Sequence, residues 1–138
     1  RYVDGPVFPY EAYQLGEFFS HCEQEKNDSA LQREAYAFGL YLQELVRTKD
    51  LTSLYDNVKM PLINGPARVT LTDRDFDDFF SRNWSSTILS IEPACTPVGN
   101  KGYMLGRGLI WFDKDRPSGT ENRVKGWSII SINNDLSP

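Results

Sequence analysis

The stretches GYMLGRGLIWFD at residues 102–113 and WSIISIN at residues 127–133 decide the fold of this chain. Both are rich in β-branched and aromatic residues, the types that fit the pleated surface of a sheet. They predict two paired strands, joined by a polar hairpin loop over residues 114–126. Amphipathic helical patterns precede them, and helices followed by an antiparallel sheet predict an α+β fold.

A long helix is predicted over residues 30–49, where apolar side chains recur at spacings of three and four. Its middle, AYAFGLYL, is apolar nearly all round, which predicts burial on more than one side. Gly39 in this segment costs about 1 kcal/mol relative to alanine, so we expect another backbone to approach closely there. A short helix is predicted over residues 50–58, and a further helix over residues 9–26.

The middle of the chain predicts mixed elements. Residues 67–71 alternate weakly, as an edge strand does. Thr72 caps a predicted helix over residues 72–84, whose inner face is formed by Phe76, Phe79 and Phe80. The sequence STILSIE at residues 86–92 predicts a strand.

Length and charge limit the classes of function. The chain has 138 residues and a net charge of −4, which suits one domain and argues against nucleic acid as the main partner. Residues 1–58 hold five basic and ten acidic residues, and residues 59–138 hold ten and nine. We interpret this difference as an acidic helical surface beside a near-neutral sheet. No run of about 18 apolar residues occurs, so no membrane span is predicted.

The first residue and the two cysteines bear on the compartment. The chain starts at Arg1 rather than methionine, which either a cleaved signal peptide or a shortened clone would explain. A disulfide between Cys22 and Cys95 would close a loop of about 73 residues and stabilise the fold by roughly 3–5 kcal/mol. The alternative is two buried free thiols. These residues alone leave the compartment open between a periplasmic or secreted location and the cytoplasm.

Strand alternation divides residues 102–113 into two sets of side chains. Gly106 and Gly108 fall on one side, where the absence of side chains would allow the helical segment 35–42 to approach closely. The other side carries Tyr103, Leu105, Arg107, Leu109 and Trp111. If that side faces outward, it is an apolar surface for a second copy or another protein. The alternative is that it faces inward and belongs to the core.

Arg107 is the one charged residue of that set. It could anchor a carboxylate or another anion with its planar guanidinium. The structural alternative is an ion pair with Asp113 or Glu92, or a side chain that reaches out to water.

Most catalytic and metal-binding patterns are missing from the sequence. His21 is the single histidine, and no zinc spacing surrounds Cys22 or Cys95. Asp73, Asp75 and Asp77 begin like a calcium loop, but the glycine and glutamate positions do not match. The Gly-Arg-Gly sequence lacks the third glycine of a dinucleotide fingerprint. No catalytic residue, metal site or cofactor is therefore predicted.

Tyrosines supply one enzymatic alternative. Tyr36, Tyr41 and Tyr55, together with Asp56, could line a cavity and transfer protons. Packing in the core or at its rim is the other interpretation of these tyrosines. We nevertheless predict Tyr41 and Tyr55 as candidate ligand-binding residues.

Several of these patterns together resemble the NTF2-like superfamily over roughly residues 30–133. The resemblance rests on the stretches YLQELVRTKDLTSLYDNV, NGP, FDDFF, GRGLIWFD and GWSIISIN. It implies helices packed on a strongly curved antiparallel sheet that forms a cone, with residues 1–29 as an arm and an extra helix. Some members are isomerases or dehydratases with acid–base groups inside the cone. Others are binding modules, transport factors, or bacterial immunity and envelope proteins.

The function predicted on these grounds is a non-catalytic, exported binding domain of the immunity or envelope type. Its partner would be another protein or a second copy of the chain. A small apolar ligand in the cone is a further alternative. The candidate binding residues are Leu105, Arg107, Leu109, Trp111, Tyr41 and Tyr55. The enzymatic alternative is isomerisation or dehydration of a small molecule.

Overall fold

The computed structural model describes residues 29–58, 65–66, 75–94, 96–114 and 126–134. Within these residues, three α-helices and one short 3-10 turn precede a three-stranded antiparallel sheet. The elements are α1 (Ser29–Arg47), α2 (Leu51–Asp56), the 3-10 turn (Phe76–Asp78), α3 (Arg82–Ser90), β1 (Tyr103–Leu105), β2 (Ile110–Lys114) and β3 (Trp127–Ile132). The predicted α+β class is confirmed.

Helix α1 is the central helix, and its predicted burial on more than one side is confirmed. The fully buried positions run consecutively from Ala35 to Phe38 and continue at Leu42. Four consecutive buried residues point in nearly all directions around a helix. Both α2 and α3 pack against α1, which explains why its middle carries so little polar surface.

A tight corner joins α1 to α2. Lys49 adopts the left-handed conformation, with φ of 56°. The Asp50 N–H donates to the Leu45 carbonyl over 2.9 Å, which closes the end of α1. The Asp50 carboxylate then accepts from the Ser53 N–H over 3.1 Å and caps α2. The predicted short helix is confirmed, and its end at Val58 forms a parallel bridge with Ile129 of β3.

The segment after residue 75 differs from its prediction. A continuous helix to residue 84 and a strand over 86–92 are both wrong, because Ser81 caps a new helix there. The Ser81 hydroxyl accepts from the Trp84 N–H over 3.0 Å. Trp84 and Ile88, one turn apart, are then both buried. Tertiary burial therefore outweighs the strand preference of the isoleucines and threonine.

Three phenylalanines confirm their predicted inner face, although no continuous helix holds them. Phe76, Phe79 and Phe80 are 4%, 0% and 1% exposed. The Phe80 ring stacks on Trp84 with 3.8 Å between centroids. This cluster fills the space between the 3-10 turn and α3.

Residues 102–113 form a hairpin rather than the single predicted strand. Gly106, Arg107 and Gly108 have φ of 62°, 63° and 91°, which is left-handed backbone that no strand contains. The chain therefore reverses between β1 and β2. Tyr103 consequently pairs with Phe112, and Leu105 pairs with Ile110.

The inner face of the sheet packs on α1 through aromatic rings. Phe38 of α1 lies 5.3 Å from Phe112 and 6.0 Å from Trp127, measured between ring centroids. Tyr103 stacks on Phe112 at 5.7 Å. A register shift between Trp111 and Phe112 breaks the regular pairing of β2 with β3. Such irregularities increase the local twist of a sheet.

Two glycines allow close approach, as predicted, but to different neighbours. A Cβ on Gly106 would lie 2.6 Å from Ile88 Cγ1, so the helix that approaches this glycine is α3 and not segment 35–42. A Cβ on Gly39 would lie 2.5 Å from Pro93 Cβ. Gly39 therefore admits the loop after α3.

Several predictions lie outside the described residues. They are the helix at 9–26, the edge strand at 67–71, the cap at Thr72, His21, Cys22, Cys95 and most of the loop at 114–126. In the helices that the structure describes, none has the length and apolar character needed to cross a bilayer.

Candidate functional site

The hairpin separates the four candidate binding residues of this stretch, which were predicted to share one side of a single strand. Leu105 is fully buried on the inner face, opposite Ile110. Trp111 pairs with Met104 and points to the other side. Arg107 and Leu109 lie in the turn between the strands. The predicted common face is wrong, because the four-residue turn resets the alternation halfway along the stretch.

The outer face of the sheet carries a different set of partly exposed residues. A Cβ on Gly108 would lie 3.4 Å from Trp111 Nε1 and 3.8 Å from Met104 Sδ, so both side chains flank this glycine. A Cβ on Gly102 would likewise lie 3.4 Å from Ile130 Cδ1 and 3.5 Å from Asp113 Cβ. We call Met104, Trp111, Asp113 and Ile130 the outer face. All four are half-buried.

The end of the hairpin is fixed by hydrogen bonds to the chain beyond β3. The Asn133 side-chain amide donates to the Gly108 carbonyl over 2.8 Å, and the Asn133 N–H donates to the Leu109 carbonyl over 2.8 Å. The Trp84 indole donates in turn to the Asn133 carbonyl over 2.8 Å. The turn is thereby held to both α3 and β3.

Arg107 is exposed at this fixed end. Its side chain forms no ion pair with Asp113 or Glu92, so that part of the structural alternative is wrong, whereas its exposure agrees with the other part, a side chain that reaches out to water. The turn carries Arg107 away from both carboxylates. Glu92 accepts instead from the hydroxyl of Tyr36 on α1. A role for Arg107 in anchoring an anion stays a prediction.

The candidate tyrosines occupy separate environments. Tyr41 is half-buried and its hydroxyl accepts from the Asn57 side chain over 3.3 Å. Tyr55 is 2% exposed, and its hydroxyl has no hydrogen-bond partner among the residues that the structure describes. Burial raises the pKa of the Tyr55 hydroxyl above its ordinary value. Asp56, next to it, is exposed, so the buried hydroxyl and the carboxylate do not converge as acid–base chemistry requires.

A polar cluster at the far end of the sheet was not predicted. One carboxylate oxygen of Glu34 accepts from Lys114 Nζ and from Trp127 Nε1, each over 2.9 Å. The three residues come from α1, β2 and β3. The signal in the sequence is weak, because a lone glutamate on a helix is usually solvated. Only the register of β2 against β3 brings Lys114 beside Trp127.

Gln43 is a second polar contact that the sequence did not reveal. Its side-chain amide is buried and donates to the carbonyls of Ile88 and Ile91, over 2.9 and 2.8 Å. These carbonyls lie at the end of α3, where the helix itself offers no donor. Gln43 therefore ties the end of α3 to α1.

Among the residues that the structure describes, no three metal-binding side chains come together. The arrangement that stands out is the partly apolar outer face with a fixed, cationic hairpin end beside it. Comparisons of this chain with protein-family models, with curated proteins and with solved structures found no match.

Proposed function

We propose that this chain is a non-catalytic binding domain that recognises another protein through the outer face of its sheet. The observation that carries the proposal is the position of Trp111. Its neighbours Ile110 and Phe112 are fully buried in the core, whereas Trp111 is half-buried on the opposite side. A large aromatic side chain at a partly exposed sheet position is typical of binding hot spots.

The composition around Trp111 supports the same proposal. Met104 flanks Gly108 together with Trp111, and Arg107 precedes that glycine. Tryptophan, methionine and arginine are the residue types enriched at protein interfaces. The hydrogen bonds from Asn133 fix the backbone beneath them. A surface fixed in advance loses less entropy on binding.

The finer proposals concern family, compartment and partner. An NTF2-like cone is supported by helices packed on the inner face of an antiparallel sheet with an irregular register. Export to the periplasm or beyond is supported by two cysteines, Cys22 and Cys95, that could form a disulfide. An immunity or envelope protein would combine these features with a protein-binding surface. If the partner is a second copy of this chain, the same face forms a homodimer interface.

Site-specific photo-crosslinking in the native host tests the proposal. A photoreactive amino acid replaces Met104 or Trp111 on the outer face, and Thr52 on α2, an exposed residue, serves as the control position. We expect one discrete adduct from the outer-face positions and none from position 52. Sedimentation of the purified protein shows whether that adduct is a second copy. Equal adducts at all three positions, or none at any, contradict the proposal.

A further inference from the structure

The end of the hairpin holds an arginine in a conformation that favours glycine. Arg107 has φ of 63° and lies between two glycines that also have positive φ. A side chain in this region raises the free energy of the fold relative to glycine. Strained backbone of this kind is associated with functional positions. We therefore expect the Arg107 side chain to have a function at this position.

Two hydrogen-bond donors near this end, the Arg107 guanidinium and the Trp111 indole, have no acceptor among the described residues. Arg107 is exposed and forms no ion pair. The Trp111 indole N–H lies beside Gly108, the residue after Arg107. The other two tryptophans differ, because Trp84 donates to Asn133 and Trp127 donates to Glu34. Trp111 is thus the indole whose donor is left for a ligand in the part of the chain that is described.

Gly108 keeps this donor open. A Cβ there would lie 3.4 Å from Trp111 Nε1 and 3.6 Å from Cζ2 of the same ring. Any side chain at position 108 would therefore cover the indole edge. Met104 Sδ, 3.8 Å from the same Cβ position, supplies an apolar wall.

From these contacts we propose that the hairpin end binds a carboxylate on an acidic segment of the partner protein. Arg107 provides the guanidinium, and Trp111 provides the neutral N–H donor. A single cation with one neutral donor matches a monoanionic carboxylate. A phosphate dianion would keep one negative charge without a counter-charge from this guanidinium. The inference rests on the proposed protein-binding function and names the chemistry that its partner presents.

Titration of the whole ¹⁵N-labelled protein with a blocked hexaglutamate peptide tests the inference. The indole N–H resonance of Trp111, assigned with Trp111→Phe, is the reporter. We expect this resonance to shift on titration, and Arg107→Gln to weaken the apparent affinity about tenfold or more, as loss of a charged hydrogen-bond partner does. Arg82→Gln removes an equal charge at an exposed position of α3 and should change the affinity less than about twofold.

Hexalysine peptide and inorganic phosphate complete the design. Neither should move the Trp111 resonance at the concentration where hexaglutamate saturates it. Equal weakening by Arg107→Gln and Arg82→Gln, or an equal response to phosphate, overturns the carboxylate site. Crosslinking from position 104, which leaves both proposed donors in place, separates this result from failure of the proposed function. An adduct that forms equally with and without Arg107→Gln leaves the protein-binding function in place.

Discussion

The two faces of the sheet differ although adjacent residues supply them. Phe112 points to α1 and is fully buried, within 5.3 Å of the Phe38 ring. Trp111, one residue earlier, lies beside Met104 and Gly108 on the outer face and stays half-buried. The inner face thus contributes a buried ring to the core, and the outer face leaves a large aromatic residue partly exposed. Alternation along one strand separates these two environments.

The largest expected effect comes from truncating each face in turn. Phe112→Ala removes a ring from the aromatic cluster, and we expect the free energy of unfolding to fall by about 3–5 kcal/mol. Trp111→Ala removes a larger side chain but should lower it by only about 1 kcal/mol, because that ring is partly in water already. Urea unfolding followed by circular dichroism measures both values.

Similar losses from the two substitutions would show that both faces belong to the core. Leu105→Ala provides a check from β1, since Leu105 is fully buried on the inner face. It should resemble Phe112→Ala, with a loss of about 2–5 kcal/mol. A small loss at Leu105 would contradict the assigned register.

The second prediction concerns the turn that places the two faces. Gly106→Ala introduces a Cβ 2.9 Å from the Ile88 Cα, at a φ of 62°. We expect a loss of about 2–4 kcal/mol from the close contact and the left-handed backbone together. Thermal and urea unfolding both report this change.

Arg107→Gly is the matched substitution one residue later. It relieves the side-chain strain at a φ of 63°, so we expect stability to stay level or to rise by up to about 1 kcal/mol. A marked loss of stability with Arg107→Gly would contradict the exposed, strained position of this side chain.

A third prediction tests the polar end of the inner face. Glu34→Ala leaves the indole N–H of Trp127 without its acceptor, and Trp127 is only 6% exposed. The expected loss is about 1–2 kcal/mol. Glu34→Gln keeps an oxygen for Trp127 and should lose less, because the ion pair with the partly exposed Lys114 contributes at most about 1 kcal/mol. Equal losses of stability from Glu34→Ala and Glu34→Gln would show that the ion pair with Lys114, rather than the hydrogen bond from Trp127, provides the stabilisation.

The smallest expected effect is at Tyr55 and depends on pH. Burial raises the pKa of its hydroxyl in the folded protein, so the unfolded chain releases this proton first as the pH rises. Stability from this group is therefore complete below about pH 10, the ordinary tyrosine pKa, and decreases above it. Tyr55→Phe should reduce the alkaline loss of stability. Near pH 7 it should change stability by less than about 1 kcal/mol, because the lost hydroxyl has no partner.

Sequence patterns predicted α1 and α2 well, missed α3, whose residues were predicted largely as a strand, and predicted the sheet only in part. The α1 periodicity is a local signal, and both α1 and α2 agree with their predicted ranges within a few residues. The pairing of the two strand-forming stretches was also predictable from residue type. The hairpin turn was missed because Met104, Leu105, Leu109 and Ile110 continue a strand pattern through two glycines. Only the left-handed backbone at Arg107 reveals the reversal.

The missed turn changed the prediction of the candidate site more than it changed the prediction of the fold. Trp111 stayed a candidate because it is a large aromatic at a strand position, whereas Leu105 moved to the core. Met104 and Ile130 joined the outer face through the pairing of three strands, which no single stretch specifies. The role of Asn133 could not be predicted from local sequence either, because its side chain binds the turn that was itself missed.

Hydrogen–deuterium exchange of the three tryptophan indoles compares the two faces directly. Trp84 and Trp127 donate hydrogen bonds in buried positions, so their N–H protons should exchange only through unfolding. The Trp111 N–H should exchange with solvent many times faster, at a rate that the unfolding free energy does not control. A Trp111 indole protected as strongly as that of Trp127 would mean that the chain itself closes the outer face, and it would contradict the proposed binding surface.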